Sequence, residues 1–350
     1  MSGEVLDNAT IQSLIQIWQC VLQRSPISPE DNFFEIDGKD SSADSIFAEI
    51  RQVFGRELPS ATICHAPTVT ALAAVLGRPE LPQFSPFVLL TDGIKSPPIF
   101  IAHGLGGRSS FSLLAKEMRA GHPVYGIQAK GVDGLEAPLE NIEEMAEFYL
   151  GALNQLQPEG PYVLIGYSFG GLVALEMAQR LLKHGEKIAL LAMVDTYPHP
   201  RYLPLGQRFW LITKKVSGHI SNMRRMPVGN VASYAIGGLK NRLHIGDHNS
   251  GGPVAQNSPL SFGQTTLIVK ESDLRAMKRY RPRFYPGEIK FVRPEANSYL
   301  PNDPTAVWKQ LTAKFEVETV PGDHLGMIGT HYETLAAVLT RFVEEAVDRK

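Results

Sequence analysis

The chain has 350 residues, 43% of them hydrophobic and 20% charged, with a formal net charge of −2, which fits one or two folded globular domains and excludes a disordered or fibrous chain. No apolar run approaches the roughly 20 residues of a membrane span, and the acidic opening MSGEVLDNAT lacks the basic and apolar regions of a signal peptide. Two cysteines, Cys20 and Cys64, are too few for a disulfide framework, so the expectation is a cytoplasmic protein.

The first predicted helix lies in TIQSLIQIWQCVLQ, where Ile11, Leu14, Ile15, Trp18, Val21 and Leu22 share one face. A loop rich in Pro, Asp and Asn follows, then SADSIFAEIRQVFG, with Ala43, Ile46, Phe47, Ile50 and Val53 at helical spacing. TVTALAAVLG is a third, short helix ending at Gly77, and RPELPQFSP is a proline-rich boundary. These segments predict a small all-α bundle over residues 6–77 and a linker over 78–85.

From residue 86 the pattern changes. FVLLTD, PPIFIAHG, PVYGIQA, YVLIGYS and KIALLAMVDT read as strands. Between them stand the helices SSFSLLAKEMRA, NIEEMAEFYLGALNQL and FGGLVALEMAQRLLKHG. Such alternation predicts a mostly parallel α/β sheet covered on both faces, spanning residues 86–347. Residues 198–286 interrupt it with two amphipathic helices, around 206–223 and 230–243. EIKFVRP, FEVETVPGDH and a final helix at 331–347 restore the rhythm.

Charge is unevenly spread. Residues 1–80 hold 5 Lys/Arg against 11 Asp/Glu, whereas residues 198–286 hold 14 against 3. An acidic head and a basic internal segment attract one another or shared anionic partners, or are two solvated surfaces of opposite sign.

The sharpest chemical signal is IGYSFGG. Gly166-Tyr167-Ser168-Phe169-Gly170 matches G-x-S-x-G between a strand and a helix, the setting in which a serine becomes an exposed nucleophile. A serine hydroxyl needs a base. His324 in VPGDHLGM follows the last strand and suits that role, while His331 opens the final helix and His103 in IAHGLGG reads as structural. The acid that orients the base is expected at a strand end between the two: Asp195 fits, with Glu295 as the alternative position. The oxyanion donors are expected to be the backbone N–H groups of Leu105 and Phe169.

With IAHGLGG, GYSFGG and GDHLGM in place, residues from about 86 to 345 resemble the terminal thioesterase domains of nonribosomal peptide and polyketide synthases, which have the α/β-hydrolase fold. Residues 1–77 resemble their acyl or peptidyl carrier domains through DNFFEIDG and the apolar pattern after it. The resemblance implies an α/β-hydrolase sheet with an inserted helical lid at about 198–286, preceded by the carrier-like bundle. It implies release of an acyl or peptidyl chain from a phosphopantetheine thioester, by hydrolysis or cyclisation, without a metal. The implied partners are a thioester on its own or another carrier, upstream synthase modules and a phosphopantetheinyl transferase, with no nucleic acid and no membrane span. An esterase acting on free esters, and a docking protein with a degenerate carrier, are the competing functions. Basic residues including Arg279, Arg281 and Arg283 are expected to attract the acidic carrier and the phosphate of its arm.

The carrier resemblance implies 4'-phosphopantetheine, covalently attached to a serine. The ungapped register from Phe33 places Asp40 at that position, and one inserted residue places Ser41 there. Asp40 lacks the hydroxyl that the attachment needs, which leaves two readings: Ser41 carries the arm, or the bundle is an unmodified carrier-like docking domain and the acyl chain arrives from another carrier.

Overall fold

The computed structural model describes residues 8–36, 40–64, 66–78, 84–108, 111–203, 261–296 and 303–348. The two lid helices expected at 206–223 and 230–243 lie outside them. The chain divides into two compact units, residues 1–199 with 260–350, and residues 200–259. Residues 260–286, counted with the lid in the sequence, therefore go with the sheet. Of the second unit, only a short 3₁₀ turn at Pro200–Tyr202 is described as an element.

The N-terminal region contains α1 (Asn8–Leu22), α2 (Asp40–Phe54), a 3₁₀ turn (Ser60–Cys64) and α3 (Val69–Leu76). Leu14 and Trp18 of α1, Ala43, Ile46, Phe47 and Ile50 of α2, and Val69 and Leu72 of α3 are buried together. Trp18 meets Phe33 edge to face with ring centroids 5.7 Å apart, a favoured aromatic geometry. Thr68 caps α3 by accepting from the Ala71 N–H at 3.1 Å.

The sheet has seven strands among the described residues: β1 (Phe87–Thr91), β2 (Ile99–Ala102), β3 (Val124–Ile127), β4 (Tyr162–Tyr167), β5 (Ile188–Val194), β6 (Tyr285–Pro294) and β7 (Thr312–Val320). Their order is β1-β3-β2-β4-β5-β6-β7. Only β1 runs antiparallel to its neighbour. β2, β4 and β5 read as near-continuous apolar runs because both faces are covered, and β4 is buried along its whole length. The covering helices are α4 (Ser112–Met118), α5 (Ile142–Leu156), α6 (Phe169–Lys183), α7 (Phe262–Arg279), two four-residue turns, α8 (Thr305–Trp308) and α9 (Gly326–Gly329), and α10 (Tyr332–Val347).

The strand order reverses between β2 and β4: the chain leaves β2 for β3 on one side and later returns to β4 on the other. In open parallel sheets the crevice at the carboxyl ends of such strands is where ligands bind. The loops after β2 and β4 open there.

α7 is absent from the sequence prediction, and it joins the two regions. Its N-cap, Ser261, forms a reciprocal capping box with Gln264. Phe262, fully buried, packs in the same apolar cluster as the N-terminal helices, together with Val132. Its N–H also donates to the Asp44 carboxylate of α2 at 2.8 Å, and the Ser60 hydroxyl donates to the same oxygen at 2.6 Å. Two side-chain contacts add to the junction: Lys116 to Glu35 at 2.8 Å and Asn32 to Ser112 at 3.3 Å. Burying a phenylalanine contributes about 2–3 kcal/mol, so Phe262 is a substantial part of this seam.

Candidate active site

Backbone register brings the acid and the serine turn side by side. Tyr167 of β4 pairs with Val194 of β5, so the next residues, Ser168 and Asp195, leave adjacent strand ends together. The Ser168 N–H donates to the Val194 carbonyl at 2.8 Å, and the Asp195 N–H to Val292 of β6 at 2.8 Å. Both residues have positive φ, 54° at Ser168 and 43° at Asp195. Such backbone strain is tolerated where surrounding structure over-determines it, and it concentrates at functional sites.

Two glycines allow the remaining loops to close in. A Cβ on Gly170 would lie 2.3 Å from the His103 carbonyl oxygen, and one on Gly171 would lie 2.0 Å from Thr196 Oγ1. Without side chains there, the first turn of α6 presses against both the loop after β2 and the loop carrying Asp195. The Trp308 indole N–H holds the latter loop from behind, donating to the Thr196 carbonyl at 3.0 Å.

His324, after β7, is 2.6 Å through Nδ1 from Asp195 Oδ2. The carboxylate is buried and the imidazole partly exposed, at 1% and 27% side-chain accessibility, so an external group reaches only the histidine. Tyr167 sets its orientation: the two rings stack with centroids 4.9 Å apart, and the tyrosine hydroxyl donates to the His324 carbonyl at 2.6 Å. Burial, with the Asp195 and Asp323 charges, raises the Tyr167 hydroxyl well above its ordinary pKa, so it remains a donor. Tyr167 was passed over in the sequence because the motif leaves its position unspecified.

Of the alternatives weighed from sequence, Glu295 is exposed beyond β6, and His331 is the N-cap of α10. His103 is fully buried, and burial lowers its pKa from 6.5 to about 4, so it stays neutral. Its Nδ1 lies 2.7 Å from the Gly104 carbonyl, which requires the proton there, and its Nε2 then accepts from the Tyr149 hydroxyl at 3.1 Å. The Gly104 carbonyl shares its planar peptide with the Leu105 N–H, so the bond from His103 fixes the direction of that donor. The Phe169 N–H opens α6, where the first turn leaves N–H groups without intrahelical acceptors.

The arginines take other partners than those expected of them. Arg283 pairs with the buried Glu176 at 3.0 Å, and Arg281 donates to the Lys278 and Tyr280 carbonyls at 2.7 Å. Arg279 lies 3.4 Å from Glu140. These contacts brace α7 and the approach to β6.

In the N-terminal region, Asp40 is the first residue of α2 and Ser41 the second. The buried face Ala43, Ile46, Phe47 and Ile50 is the one that the ungapped register requires. Ser41 is exposed and Ser42 half-buried, so Ser41 presents a hydroxyl at the start of α2, although the observed buried face keeps Asp40 at the attachment position of the ungapped register. Among the described residues, no group of three or more His, Cys, Asp and Glu could hold a metal ion, and no helix is long and apolar enough to cross a membrane.

Comparison with known proteins accounts for both regions. Residues 97–227 match the thioesterase domain family, and residues 12–76 match the phosphopantetheine attachment site family. The chain is 29% identical to malpibaldin synthetase of Mortierella alpina over 321 residues, covering 90% of this chain and 5% of that protein. It is 38% identical over 188 residues to indigoidine synthase of Dickeya dadantii, covering 53% of this chain and 13% of the other. The chain thus spans a small fraction of these relatives. In fold, it matches holo-AB3403, a four-domain nonribosomal peptide synthetase bound to AMP and glycine, with a TM-score of 0.58 and 20% identity over 97% of this chain and 27% of that one. A region that matches the phosphopantetheine attachment site family is thus followed by one that matches the thioesterase domain family.

Proposed function

We propose that this carrier–thioesterase chain releases an acyl or peptidyl group from a phosphopantetheine thioester, with Ser168 as nucleophile, His324 as base and Asp195 as its orienting acid. The observation that carries the reading is the Asp195–His324 pair at 2.6 Å, stacked on the residue next to Ser168. The matches at residues 97–227 and 12–76 supply the substrate class.

His324 Nε2 takes the Ser168 proton as Oγ bonds to the thioester carbonyl carbon, and the carbonyl electron pair moves to oxygen. Leu105 and Phe169 N–H groups receive that oxyanion. The carbon–sulfur bond then breaks as His324 returns its proton to sulfur, leaving an ester on Ser168. A second nucleophile, water or a group within the acyl chain, gives its proton to His324 as it attacks the ester carbon, and His324 passes that proton to Oγ as the ester bond breaks and Ser168 is freed. Asp195 holds the imidazole with its proton on Nδ1 throughout and stabilises the imidazolium. Ser41 would hold phosphopantetheine, whose terminal thiol supplies the thioester linkage. Upstream synthase modules would supply the chain.

The test is labelling with a fluorophosphonate, followed by comparison of an acyl-pantetheine thioester with a simple ester of the same acyl group. Label on Ser168 and preference for the thioester are expected. No label would reject the enzyme, and preference for the free ester would favour the esterase reading.

A further inference from the structure

The loop after β2 carries the expected oxyanion donor, yet its own sequence gives it little rigidity. Gly106 and Gly107 both have positive φ, 98° and 79°, in a region where glycine is free to move. His103 ties the peptide before Leu105, as described. The peptide after it belongs to Gly106, and its N–H donates to Asp273 Oδ2 of α7 at 2.9 Å.

α7 meets this loop along one face. Thr266 lies in ordinary contact with Gly106, since a Cβ there would stand 3.4 Å from Thr266 Cγ2. Val269 closes on Gly107, where a Cβ would stand 2.7 Å from Val269 Cγ1. Thr266, Val269 and Asp273 recur at helical spacing, so the carboxylate continues the packing row. Asp273 is 1% exposed. A carboxylate is a costly group to bury unless its hydrogen bond has a use. Burial pushes its pKa up from 3.8 to about 7, while the Gly106 N–H pulls the other way.

We propose that Asp273 is the positioning residue of the oxyanion loop, fixing the Leu105–Gly106 peptide so that the Leu105 N–H stays aimed at the reacting carbonyl. The two peptides flanking Leu105 are then held from opposite sides, one by His103 and one by Asp273. The assignment of Leu105 as donor rests on the proposed function; the restraint of the loop does not.

The experiment uses the full chain with Asp273→Ala and Asp273→Asn. Turnover of a hexanoyl thioester of N-acetylcysteamine and deuterium exchange of the segment 103–108 are measured on each. Misplacing one donor should lower kcat by about 10- to 100-fold in the alanine variant, with KM changed by less than about twofold. Exchange in the loop should accelerate. Asparagine keeps an acceptor for the Gly106 N–H, and should restore both kcat and exchange to within about threefold of wild type. That rescue is what a role in bulk folding would not produce, and it stays readable if the alanine variant fails to fold. An alanine variant with wild-type kcat and exchange overturns the proposal. An asparagine variant that folds, keeps its loop protected and still loses more than tenfold in kcat also overturns it. If wild type neither takes a fluorophosphonate nor turns over the thioester, the proposed function fails, and the exchange measurement alone decides the role of Asp273.

Discussion

Two 15-residue helices in this chain, α2 and α6, each have near their N-terminus a serine with a proposed function. Ser168 stands at the N-cap of α6, where two loops are drawn in around it by Gly170, Gly171 and the strand register. Its place is over-determined, and the strained φ of 54° is sustained by that enclosure. Ser41 lies one residue into α2, exposed, with its position set by the buried face of a single helix. Shifting the register by one residue moves every side chain by about 100°, which exchanges Asp40 for Ser41. A site assembled from several elements tolerates no such ambiguity, whereas a site on one helix surface does.

Substitutions can break or sharpen that contrast, and we rank them by their effect on turnover of a free acyl-pantetheine thioester. Ser168→Ala should lower turnover by about 10⁴-fold or more while leaving the melting temperature near wild type. An alanine variant with near-wild-type turnover would end the claim that the enclosed serine is the nucleophile. Asp195→Asn should cost about 10³- to 10⁴-fold, because the amide no longer fixes the proton on Nδ1 of His324. Glu295→Gln, outside the enclosure, should change turnover by less than about twofold; the reverse ranking would move the acid to β6.

A weaker effect is expected at the seam. Asp44→Ala removes the acceptor of the Phe262 N–H and of the Ser60 hydroxyl, and should cost roughly 1–2 kcal/mol of stability by denaturant titration, as other lost caps do. Asp44→Asn should cost less. Equal stability in all three proteins would mean that this contact contributes nothing. Ser41→Ala should have the smallest effect, none on the free thioester. Intact-mass measurement after incubation with coenzyme A and a phosphopantetheinyl transferase should, however, show one arm on wild type and none on this variant. An arm that survives the substitution would remove Ser41 from the site, and its absence from wild type would leave a carrier in shape only.

The alternation of strands and helices made the sheet legible, and the serine turn could be read because glycine spacing and secondary structure agreed there. Asp195 and His324 followed from chain order and strand ends. α7 escaped notice because half of its inward face is polar: Thr265, Ser272 and Asp273 are buried beside Phe262, Val269 and Ala276, so no clean apolar period marks it. The capping box Ser261-Phe262-Gly263-Gln264 was the available signal. Tyr167 and Trp308 carried none, since their roles arise only when distant segments meet. Arg281 and Arg283 also have local partners that charge counting does not show, the Lys278 and Tyr280 carbonyls and Glu176.

The bond from α2 to the head of α7 sets a timetable for the carrier. Each departure from the hydrolase surface would withdraw Asp44 and expose Phe262. Together these cost about 3–5 kcal/mol, equivalent to about two to four decades in the ratio of docked to released time, before the regained freedom of the tethered region is subtracted. The contact therefore weights the balance toward the docked arrangement by that amount, and the freedom of the released region weights it the other way.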